Sequence, residues 1–95
     1  MDFDRAEIIG INALSFIASD EKHLSGYLRL TGMDIDTLRS DMTNQHKIKT
    51  ILTSILDYMM QNEKCLLEYA ETYELDPEDI VKSRDILPGA MPFQS

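Results

Sequence analysis

Ninety-five residues suit one compact domain and leave no room for two independent cores. A net charge of -8 disfavours nucleic acid and anionic membrane surfaces, which are gripped by clustered Lys and Arg. No apolar run approaches the ~20 residues of a membrane helix, the acidic start Met1-Asp2-Phe3-Asp4 is unlike a secretory signal, and the single Cys65 cannot form an internal disulfide. The expectation is a cytoplasmic, membrane-free protein.

Apolar residues recur at three- and four-residue steps through Phe3, Ala6, Ile9, Ala13, Phe16 and Ile17, which predicts a first helix. Asp20 is the expected N-cap of a second helix carrying Leu24, Tyr27, Leu28 and Thr31, and Gly32 suits a left-handed turn that ends it. Asp34 can cap a short third helix with Ile35, Leu38 and Met42, after which Thr43-Asn44 resets the chain. The clearest stripe follows, with Ile48, Ile51, Leu52, Ile55, Leu56 and Met59 on one side. Asn62 caps a fifth helix whose inward residues are expected to be Leu66, Tyr69, Ala70 and Tyr73. Asp76-Pro77-Glu78-Asp79 then combines a capping acid, proline at the first helical position and acids in the first turn. Ile80, Val81, Arg84 and Leu87 follow, and Pro88-Gly89 is expected to stop the helix. No segment alternates as a half-buried strand would, so the predicted fold is all-α: a bundle of five to six helices over residues 1–89, with a flexible tail at 90–95.

A shift of 42 residues aligns the two halves: Ile9 with Ile51, Leu14 with Leu56, Glu21-Lys22 with Glu63-Lys64, Leu24 with Leu66, Tyr27 with Tyr69, Asp34 with Asp76. Similar residues fill the gaps, including Asp20 with Asn62, Met33 with Leu75 and Leu38 with Ile80. This predicts two tandem units, about 5–42 and 47–87, packed about an approximate twofold axis.

The stretches Asp20-Glu21-Lys22-His23-Leu24, Tyr27-Leu28, Leu30-Thr31-Gly32-Met33-Asp34 and Leu38-Arg39 carry a family resemblance. So do Asn62-Glu63, Leu66-Leu67, Leu75-Asp76-Pro77-Glu78, Arg84 and Leu87-Pro88-Gly89. The chain resembles, over about residues 5–89, a family of small alphaproteobacterial helical proteins catalogued as domain of unknown function 3572. Ile35 stands where Pro77 suggests proline, and Glu74 where Gly32 suggests glycine. The resemblance implies a fold and a lineage and brings no catalytic residues.

The chemistry-bearing residues do not assemble into a familiar site. Asp34-Ile35-Asp36 lacks the remaining ligands and the glycine of a calcium loop, and the four glycines are too scattered to cradle phosphate. His23 and Cys65 hold equivalent positions and could in principle meet, but each falls in the first turn of a helix, ordinarily a solvated place; His46 is expected to be exposed. Carboxylates fall at caps or outer faces, with no pair suited to acid–base work. No enzyme activity, metal or cofactor is expected.

Ile8 and Ile11 lie outside the inward arc of the first helix, and Leu30 and Leu67 lie off-face in theirs. These residues are the candidate contact surface for a protein partner or a homodimer. A second possibility is a small-ligand pocket between the repeats near Tyr27 and Tyr69. A weaker third is an acidic decoy for a basic or nucleic-acid-binding protein, drawing on the eight acids from Asp57 to Asp79.

Overall fold

The computed structural model describes residues 1–87 and contains six helices: α1 (Phe3–Ala18), α2 (Glu21–Thr31), α3 (Ile35–Met42), α4 (Ile48–Gln61), α5 (Glu63–Thr72) and α6 (Pro77–Ile86). The described residues contain no strand. The expected stop at Pro88-Gly89 and the tail at 90–95 lie outside them; Leu87, which precedes the proline, is extended as that position favours.

Local chemistry sets the boundaries. Asp20 accepts from the amides of Lys22 and His23, Asp34 from Thr37, Asn62 from Cys65 and Asp76 from Glu78, so the four predicted caps satisfy donors the helices leave orphaned. Asp2 caps α1 in the same way through the Arg5 amide at 2.9 Å. Asn44 instead holds a turn before α4, accepting from the His46 amide, and Lys47, the N-cap of α4, makes no side-chain cap bond.

Helix α4 is the centre of the molecule. Every residue from Ile51 to Met59 is buried, so a helix read as one-sided is enclosed all round. Its predicted apolar stripe is inside, and so are Thr53, Ser54, Asp57 and Tyr58. Helix α1 packs most extensively against α4 and α6, while α6 also touches α4 and α5; α3 rests mainly on α4. Gly10 makes the α1–α4 approach possible, since a Cβ there would lie 3.2 Å from the Cβ of Leu52. Phe3, Met42 and Tyr73, expected inward, are partly exposed at the rims of their helices.

The buried polar groups of α4 are accounted for one by one. Thr53 and Ser54 donate their hydroxyls back to the carbonyls of Lys49 and Ile51. Asp57 corrects the expectation that all acids sit on outer faces: its carboxylate is buried and its Oδ1 lies 2.6 Å from Nε of Arg84 on α6. The other oxygen, Oδ2, has no hydrogen-bond partner among the described residues. The pair therefore ties α6 to α4 through a charge that, among the described residues, Arg84 alone compensates.

The two halves share local detail. Tyr27 reaches α4 through Ser54 Oγ at 2.6 Å, and that hydroxyl in turn donates to the carbonyl of Ile51. Tyr69 reaches α1 directly, donating to the carbonyl of Ile9 at 2.7 Å, and Ile9 is the residue aligned with Ile51. Gly32 has φ 73° after α2, and Glu74, its counterpart, keeps the left-handed turn with φ 54° despite its side chain. The packing of the third helices is unlike: α6 is clamped between α1, α4 and α5, whereas α3 buries fully only Leu38.

Two stability predictions follow from these contacts. A left-handed conformation costs a side-chain-bearing residue roughly 1–2 kcal/mol, so Glu74→Gly should raise the unfolding free energy by up to about 1 kcal/mol and Gly32→Ala should lower it by about the same, both read by urea denaturation. Arg84→Met should cost about 3–5 kcal/mol by leaving Asp57 buried and unpaired, while Asp57→Leu combined with Arg84→Met should cost clearly less; an equal or greater loss in the double variant would show that the charge pair itself stabilises the fold.

Candidate functional site

The four predicted contact residues are all exposed, but they do not form one surface. Ile8 and Ile11 are one turn apart on α1 and are 55% and 46% exposed. Ile11 borders a shallow groove of about 370 Å³, together with Leu14, Ser15 and Ala18 of α1, Met42 of α3 and Ile48 of α4. Leu30 instead borders a second groove of about 400 Å³, between α2 and the α4–α5 corner. Leu67 stands on the outer side of α5.

The predicted pocket residues Tyr27 and Tyr69 are core residues with no exposed surface. Phe16 and Tyr73 flank the Tyr69 ring at 5.5 and 4.9 Å between centroids, and Tyr58 meets Tyr27 edge-on at 6.1 Å. Burial raises the titration of both hydroxyls, and the nearby Tyr73 adds to the effect on Tyr69. The space between the halves opens one ring further out. There Tyr58, Gly26, Arg29, Leu30, Gln61 and Asn62 line the second groove. Sequence reading missed Tyr58 because it follows Asp57 on the side of α4 away from the strongest stripe.

Cys65 and His23 depart from the solvated positions expected of them. Cys65 is fully buried, and burial, assisted by Glu68 and Asp20, pushes its thiol from the ordinary 9.0 up to about 12. That is the opposite of an activated thiol. His23 packs its ring near Phe16, with centroids 5.9 Å apart, and its Nε2 lies 2.9 Å from Glu68 on α5. No group of three or more metal-ligating side chains gathers among the described residues. Of the acids between Asp57 and Asp79, Glu63, Glu68, Glu71, Glu74, Asp76 and Glu78 are exposed, so the acidic surface on α5 and α6 exists without Asp57. His46 is exposed as expected. Among the described residues no helix is long and apolar enough to cross a membrane.

These features define a small all-helical domain built around a central buried helix, with surface grooves at Ile11 and at Tyr58 among the described residues. A family model described as protein of unknown function (DUF3572) matches residues 3–90, and the chain belongs to that family. No curated protein and no solved structure matches it.

Burial of Cys65 and of Tyr27, Tyr58 and Tyr69 fixes the sign of the alkaline response. Folding holds protons that the unfolded chain would release, so their contribution is intact below the unfolded values near 9.0 and 10.0 and is lost as pH rises through the folded ones. The urea midpoint should fall steeply from about pH 9.0 towards 12, and Tyr69→Phe should flatten the fall above pH 10.0. At pH 8 a disulfide reagent should label Cys65 only at the rate of unfolding; fast labelling of the folded chain would contradict its burial.

Proposed function

We propose that this chain is a protein–protein interaction domain that self-associates through the outer face of α1. The observation that carries this reading is the contrast between α1 and the stretch of α4 aligned with it. Thr53 and Asp57 are buried, the latter under α6 through Arg84. Their counterparts Ile11 and Ser15 are exposed, and the counterpart of Arg84 is Met42, which borders the groove beside them. The covered face thus carries a threonine and a carboxylate, while the open face carries Ile11, Ser15 and Met42, with Ile8 one turn away on the same side of α1. Apolar residues on the open side of such a pair suit a helix supplied from outside.

A second copy is the partner the reading commits to, since a self-complementary patch closes as a twofold dimer. A binding role rather than a catalytic one fits the placement of the carboxylates, which cap helices, stand in solvent or, at Asp57, compensate an arginine. The cytoplasm fits a chain whose one thiol is buried and protonated.

Light scattering at high concentration should give twice the chain mass of 10.9 kDa for the wild type. Ile11→Glu should weaken association at least about tenfold, and Leu67→Glu on α5 should leave it unchanged. A wild type that stays monomeric would overturn self-association.

A further inference from the structure

The groove between α2 and the α4–α5 corner joins apolar surface to four side chains that carry hydrogen-bond donors: Arg29, Tyr58, Gln61 and Asn62. Arg29 contributes a guanidinium that forms no ion pair with any carboxylate among the described residues. Asn62 donates one amide hydrogen to the hydroxyl of Tyr58 at 3.3 Å, which makes that hydroxyl an acceptor there. The hydroxyl's own hydrogen has no acceptor among the described residues, although the ring is nearly buried. Gln61 adds a second amide at the lip, and Leu30 an apolar edge.

Gly26 closes the back of this groove. A Cβ at that position would lie 2.5 Å from the Tyr58 hydroxyl, so only glycine lets the hydroxyl rest where it does. Glycine inside a helix is destabilising relative to alanine. Here it seats a phenol whose proton has no acceptor among the described residues. The lining includes no carboxylate, in a chain of net charge -8. Asp20 is near enough to influence Tyr58, but its carboxylate is occupied in capping α2.

We propose that this groove binds a monocarboxylate with a short aliphatic tail, its two oxygens taken by Arg29 and the Tyr58 hydroxyl and its tail laid against Leu30. A guanidinium presents a fork that fits one carboxylate, and a neutral O–H beside it supplies a second direct bond. One cation on an acidic protein balances a single negative charge and would leave a dianion half-compensated. A volume of about 400 Å³ accommodates a small branched acid or the last residue of a peptide.

Amide chemical shifts of the full chain, followed while isobutyrate is added, test this. Saturable shifts centred on Gly26, Arg29, Gln61 and Asn62 are expected. Isobutyramide, isosteric but neutral, should give none. Arg29→Met, an exposed change that spares the fold, should weaken binding at least about tenfold, and Tyr58→Phe several-fold. A short peptide ending in a free leucine carboxylate separates the sources: tighter binding than isobutyrate assigns the groove to chain termini, and equal or weaker binding assigns it to free acids. No saturable shift with either carboxylate, equal shifts with isobutyramide, or unaltered binding by Arg29→Met would each overturn the proposal. None of these readouts depends on whether the chain self-associates through α1.

Discussion

A helix with no solvent side constrains everything around it. Between Ile51 and Met59, α4 must find a partner for each polar group it carries, because an unpaired one would cost roughly 1–3 kcal/mol. Ser54 meets that demand through its own helix and Tyr27, whereas Asp57 meets it only at Oδ1, through Arg84, and leaves Oδ2 without a partner among the described residues. The same enclosure demands close approach, which Gly10 provides on α1. A radius of gyration of 12.1 Å, about what a globule of this length should have, follows from wrapping five helices around the sixth.

What could be read from the residues alone was whatever depends on neighbours in sequence. The caps at Asp20, Asp34, Asn62 and Asp76 are local chemistry, and so is the left-handed turn at Gly32. The surplus of Ile8 and Ile11 was legible because a helical wheel needs no tertiary information. The pairing of Asp57 with Arg84 was not, since two charges 27 residues apart on different helices carry no mark of their meeting. Cys65 was misplaced for a similar reason: a first-turn position says nothing about which element covers it. The donor-lined groove escaped because its members come from α2, α4 and the α4–α5 corner.

Glu74 shows how the aligned halves inform each other. Its alignment with Gly32 marks a position where the backbone turns left-handed, and the turn is made although the residue is poorly suited to it. The Leu75 amide bonds the Ala70 carbonyl at 2.8 Å, closing the end of α5. The two aligned positions thus share a left-handed backbone with different residues. The halves diverge instead in what they cover: α6 closes over α4, and α3 leaves the matching part of α1 open. The grooves at Ile11 and Tyr58 both lie where elements from the two halves meet.

The bond from Tyr69 to the carbonyl of Ile9 joins residues 60 positions apart. Together with the packing of α1 on α6, it gives the order of synthesis a structural meaning. Helix α1 packs on α6 as extensively as on α4, so part of its inner face, which carries Ile9, Ala13 and Ile17, is completed only after the segment up to Ile86 has been made. During that interval the net charge of -8 works against association with neighbouring chains.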